Sequence, residues 1–93
     1  MLTIKRTAQF RRDYKRELKG RHRTMLETAL TEVLKDLVNE QPLADKYRDH
    51  QLTGNWKDCR DCHIKPDLVL IYRKVSENDL QLIRLGSHSE LGL

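Results

Sequence analysis

The stretch DCRDCHIKPDLVLIYRKVSENDLQLIRLG, Asp58–Gly86, decides the fold. Its first seven residues alternate, so on an extended strand Cys62 and Ile64 share one face while Cys59, Asp61 and His63 share the other. The apolar pair is expected to meet a core and the polar set to face away. LVLIY, Leu68–Tyr72, is a continuous apolar run of the kind a central strand carries. After the turn residues SEND, Ser76–Asp79, the segment LQLIRLG alternates once more. Three strands joined by short connections make a meander.

Upstream of Trp56 the period changes. Leu26, Ala29, Leu30, Val33, Leu34, Leu37 and Val38 recur at helical spacing over several turns and stop before NEQP, with Pro42 as the break. Phe10, Tyr14 and Leu18 recur at every fourth position, with Thr7 available as an N-cap and Gly20 as a stop. LTIKR, residues 2–6, alternates and reads as a short strand, and LADKYRDHQLTG, which has no clean period, as a long loop. The expected fold is an α+β sandwich in the order β-α-α-β-β-β, with an antiparallel sheet and both helices packed on one face. A chain of 93 residues, 38% hydrophobic and 34% charged, has room for one domain, expected to span residues 1–93. No apolar run reaches bilayer length and the amino terminus has no secretory pattern, so the expected location is the cytoplasm, with Cys59 and Cys62 as free thiols and no membrane partner.

Charge is unevenly distributed. Residues 1–23 hold nine Lys and Arg against Asp13 and Glu17, a local balance of +7, in a chain whose total is +4. Such a block is the footprint of a polyanion binder, or equally of a surface that docks an acidic protein. Arg11, Arg12, Lys15 and Arg16 are its candidate RNA contacts.

Strand parity and loop position single out the remaining candidates. His63 should be displayed on the open face, His50 lies in the long loop, and His88 follows the last strand, sharing the parity of Leu80, Leu82, Arg84 and Gly86 if the chain stays extended. Asp61 and Asp67 could converge with them on one concavity whose rigid floor is the central strand. His22, inside the basic block, reads as an ordinary surface or core histidine. In CRDC the two sulfurs alternate to opposite faces and no second pair exists, so a zinc site is not expected. Trp56 is a core or rim aromatic as readily as a stacking platform.

These residues also carry a resemblance. The D-H-x-L-x-G-x-W loop, the D-x-H-I-x-P-D-L strand pair and the final R-x-G-[ST]-H, found here as DHQLTGNW, DCHIKPDL and RLGSH, resemble the RelE superfamily of bacterial type II toxins, and within it the YafQ branch. The resemblance covers nearly the whole chain. It implies a ribosome-dependent endoribonuclease that cuts mRNA in the A site, needs no cofactor, and is held inactive by a cognate antitoxin expected to be a dimeric DNA-binding protein. Its catalytic residues would fall on His50, His63, Asp67 and His88, with Asp61 a lesser candidate; Arg84 would contact phosphate, with Lys57 and Trp56 as further RNA contacts. RNA supplies its own nucleophile, the 2′-OH, so cleavage requires a base, an acid and positive charge on the transition state. Histidine suits both proton roles near neutral pH. His50 or His63 would be the base, His88 the acid, Asp67 would orient an imidazole and Arg84 would steady the phosphate. The rival reading is a non-catalytic basic module that binds nucleic acid or an acidic partner. Members of this branch commonly place an aromatic soon after the last histidine, where this chain has Gly92 and then Leu93.

Overall fold

The computed structural model describes residues 1–93. Eight elements follow in order: β1 (Thr3–Arg6), α1 (Ala8–Glu17), α2 (Leu26–Val38), β2 (His50–Gln51), β3 (Arg60–Lys65), β4 (Leu68–Lys74), β5 (Asp79–Gly86) and α3 (His88–Leu91). Single 3₁₀ turns at Asp45–Tyr47 and Gly54–Trp56 flank β2. The sheet runs β1-β5-β4-β3-β2. The meander pairs antiparallel as expected, but β1 joins the edge parallel to β5, with Thr3 opposite Asp79 and Arg6 opposite Leu82, so the sheet is mixed. The reason is topological: α1 and α2 separate β1 from the meander, which lets the first strand return to the far edge in the same sense as β5.

Helix α1 begins where Thr7 caps it, its hydroxyl oxygen accepting from the Phe10 N–H at 2.9 Å while its own proton goes to the Ile83 carbonyl at 2.8 Å. Phe10 is buried, but Leu18 is 44% exposed, and the position its stripe was expected to fill belongs to Asp13, which is fully buried, and to Glu17. Helix α2 buries Leu26, Leu30, Val33 and Leu37 as its spacing predicts. Together with Cys62, Ile64, Leu68, Leu70, Tyr72, Leu80, Leu82 and Leu85 from the sheet these residues form the main core. Burying a leucine of this kind contributes about 1.5–3 kcal/mol.

The second face of the sheet is not open. Val69 and Ile71 from the central strand meet Cys59 and Leu91 in a smaller core, with Leu52, Trp56 and Ile83 packed against it. The unbroken apolar run LVLIY is therefore explained by two cores, one on each side. Cys59 and Cys62 sit in different cores, as alternation predicts, and both are free thiols. On β5 a bulge intervenes: Ile71 pairs with Arg84 but Tyr72 pairs with Leu82, leaving Ile83 as the extra residue. The parity of Leu80 and Leu82 therefore passes to Leu85. His88 is reached not by an extended strand but by a turn into α3.

Candidate active site

β2 brings His50 directly opposite Asp61 of β3. The His50 Nδ1 lies 2.7 Å from the Arg48 carbonyl and 3.1 Å from Asp61 Oδ1. The two contacts are not equivalent. A carbonyl oxygen can only accept, so Nδ1 carries the proton and directs it to Arg48; the approach to Asp61 is close but off the hydrogen-bonding axis, and Oδ1 has no hydrogen-bond partner. Nε2 of neutral His50 is then the acceptor nitrogen. Asp61 itself is 1% exposed. Burial pushes its pKa up, and the charges of His50, His63 and His88, all near enough to act on it, pull the other way. One buried carboxylate is thus common to three imidazoles.

His63 and His88 meet ring to ring, with centroids 4.8 Å apart and planes tilted by 60°. Half-burial lowers the His63 pKa, and a charge on His88 lowers it further, against the pull of Asp61. A proton on His88 therefore disfavours one on His63. Two depressions meet at His88. One, of about 620 Å³, runs past His63 between α2 and the segment Lys46–Arg48; the other, of about 430 Å³, holds His50, Asp61, Trp56 and Leu93. Lys46, Arg48 and Lys65 line the first. Arg48 is exposed and held at φ 50°, a left-handed conformation that costs a non-glycine residue about 1 kcal/mol or more. Its charge reaches His63. Sequence reading missed this cation, because nothing in YRDHQ marks a positive φ.

The remaining candidates are placed elsewhere. Asp67, on the turn between β3 and β4, takes Arg21 at 2.8 Å and His22 at 2.9 Å and touches none of the three histidines. The imidazole beside it is thus His22, the one that sequence reading set aside, and that approach too lies off the hydrogen-bonding axis, since His22 Nε2 has no hydrogen-bond partner. Arg84 is not displayed: its Nε donates to Asp13 Oδ2 at 2.7 Å and its Nη2 to Oδ1 at 3.2 Å, because the bulge turns it toward α1. Arg16 is likewise engaged, by Asp13, Glu17 and Glu90. Arg12 bonds Gln9, while Arg11 and Lys15 rim a groove between α1 and α2 lined by Phe10, Tyr14 and Leu34. Lys57 is exposed beside the half-buried Trp56. Gly92, at φ 71°, is the left-handed cap of α3, and the Leu93 N–H closes it on the His88 carbonyl at 2.9 Å. The departure from the family's aromatic therefore supplies a cap for the helix that bears His88.

Fold and site together define a class: a small α+β protein with a histidine-rich cleft rimmed by cations. Sequence comparison then makes the class specific. A family model described as "Bacterial toxin of type II toxin-antitoxin system, YafQ" matches residues 2–92, and the chain belongs to that family. An mRNA interferase toxin YafQ of Escherichia coli (strain K12) is 38% identical over 92 residues, covering 95% of this chain and 97% of the relative. A metal-bound toxin from Helicobacter pylori, known from its crystal structure, is 49% identical with a TM-score of 0.83, covering 98% of this chain and 99% of that one. The YafQ chain in the E. coli DinJ–YafQ complex superposes with a TM-score of 0.81 at 35% identity, covering 98% of each chain. No helix is long and apolar enough to cross a membrane.

Proposed function

We propose that this chain is an mRNA interferase, the toxin of a type II toxin–antitoxin pair, cutting mRNA by acid–base catalysis with the 2′-OH as nucleophile. The observation that carries the reading is the convergence of His50, His63 and His88 on buried Asp61 at the junction of two depressions. His63, held neutral by burial and by its neighbour, suits the base that takes the 2′-OH proton. His88, exposed on α3, is the acid that returns a proton to the leaving 5′-oxygen. Arg48 is the cation that faces the developing charge on phosphorus, since Arg84 is already engaged by Asp13. His50, its Nδ1–H held by the Arg48 carbonyl, presents Nε2 as an acceptor from the other depression and is the alternative base. Asp67 acts at a distance, by tying the β3–β4 turn to Arg21 and His22.

The substrate is mRNA on the ribosome, presented in the A site, and the setting is the bacterial cytoplasm. The inhibitor is a cognate antitoxin that supplies negative charge to Arg11 and Lys15, as expected for a relative solved in complex with DinJ. Residues 1–93 act as one domain. Primer extension on mRNA translated in the presence of the protein tests the reading. Cuts should fall within codons, and the fragments should carry a 5′-OH and a 2′,3′-cyclic phosphate or 3′-phosphate. His63→Gln should abolish cutting while antitoxin binding persists. Fragments ending in a 3′-OH, or undiminished cutting by His63→Gln, would overturn the mechanism.

A further inference from the structure

Arg16 lies on α1, yet its guanidinium reaches across the end of β5 to the first turn of α3. Nη2 donates to the Leu85 carbonyl at 2.7 Å, Nη1 donates to Asp13 at 2.9 Å, Nε donates to Glu17 at 3.1 Å, and Glu90 Oε2 forms an ion pair with the guanidinium, 3.2 Å from Nε. Glu90 uses its other oxygen to accept the Ser87 N–H at 2.8 Å, and the Ser87 hydroxyl accepts from the Glu90 N–H at 3.1 Å. Gly86 lies directly beneath. A Cβ there would sit 2.8 Å from Arg16 Nη2 and 3.1 Å from Glu90 Oε1, so a larger residue would push both side chains aside.

Helix α3 has four residues, too few to be helical unaided, and His88 is its first. Whatever holds α3 therefore sets the 4.8 Å spacing between the rings of His88 and His63. The capping box and buried Leu91 fix the helix upon itself and upon the smaller core. Among its hydrogen bonds and ion pairs, the Arg16–Glu90 pair is the one that ties it to α1.

We propose that Arg16 and Glu90 are positioning residues, a strut from α1 to α3 that fixes His88 against His63; this deepens the acid–base reading above and rests on it for its effect on rate. Both side chains are about two-fifths exposed, so the pair adds little to stability. Its work is geometric. Misplacing a catalytic group by a fraction of an ångström costs about ten-fold in rate or more.

Glu90→Gln isolates the strut, because the amide oxygen still accepts from Ser87 and the capping box survives, while Arg16 keeps Asp13 and Glu17 and loses only its charge partner on α3. Imidazole ¹H–¹⁵N spectra of the folded protein should show the His88 resonances moved or broadened and those of His22 unmoved, with the melting temperature unchanged. Single-turnover cutting of ribosome-bound mRNA should slow about ten-fold at unchanged apparent affinity. Arg16→Gln should produce the same spectral change, and the double variant should be no worse in rate than the poorer single one. Unmoved His88 resonances in Glu90→Gln would overturn the strut, whether or not the wild type cuts mRNA. Moved resonances in a protein whose wild type cuts nothing would uphold the strut and overturn the catalytic reading instead.

Discussion

Replacing Asp61 by Asn should stabilise the fold and cripple the site, and both effects follow from where the carboxylate lies. Asp61 is 1% exposed and its Oδ1 has no hydrogen-bond partner. Burial, the largest influence, raises its pKa above the ordinary carboxylate value; the neighbouring histidines only oppose it. The folded state therefore prefers the protonated form. Its cost is absent at a pH below the unfolded pKa and grows as the pH rises through the folded one, so at neutrality the ionised group destabilises. An unsatisfied buried polar atom costs about 1–3 kcal/mol, and a neutral amide should recover about 1 kcal/mol of it. For a domain of this size that raises the melting temperature by about 4–8 °C. Activity moves the other way. The carboxylate opposes the burial that lowers the His63 pKa, so its loss weakens that base. Cleavage at neutral pH should fall about ten-fold, a small part of the roughly 10²–10⁴-fold that general acid–base catalysis supplies. Because Asp61 raises the His63 pKa, the limb of the pH–rate profile set by His63 should also move to lower pH. Urea and thermal melts, with primer-extension rates across that limb, measure all three. An Asp61→Asn variant that melts lower than wild type, or cuts at the wild-type rate, would refute the reasoning.

Asp13→Asn should have the opposite effect on stability. It would leave Arg84 partly buried without its charge partner and turn an amide N–H₂ toward guanidinium donors, costing about 3–5 kcal/mol in urea unfolding. The burial that raises the Asp13 pKa is outweighed by Arg84 and the Leu85 N–H, so its folded pKa is depressed. Its contribution is present above the ordinary carboxylate pKa and lost as the pH falls through the folded value, and the variant's acid unfolding should lack that component. Arg11→Glu with Lys15→Glu should weaken ribosome co-sedimentation and reduce the salt slope by about 1.4 if each contacts one phosphate of single-stranded RNA, with circular dichroism unchanged.

The order of β1, α1, α2, β3, β4 and β5 could be read from periodicity alone, because the burial of a helical stripe or a strand is a local rule that Leu26, Leu30, Val33 and Leu37 and the run Leu68 to Tyr72 obey; the short β2 and α3 carry no period and were not legible. Alternation through CRDCHI likewise put Cys62 and Ile64 under the helices, and Asp61 and His63 on the other face. That His50, His63 and His88 belong together was legible from their display at loop and strand ends and from the family motifs, but the distances were not. The bulge at Ile83 is one extra residue in a ladder, and no period reveals it; it decided that Arg84 turns to Asp13 and that His88 arrives on a helix. The burial of Asp13 was hidden for the same reason. A carboxylate inside a basic block reads as solvated until tertiary packing brings Arg84 and the Leu85 N–H to it from 71 and 72 residues away. Asp67 and His22 also meet only in space. Apolar burial is specified by near neighbours in sequence, whereas the partner of a charge is chosen by whichever distant donors the fold delivers, and in this protein that choice separates Asp61, left unpaired among histidines, from Asp13, paired beyond reach of solvent.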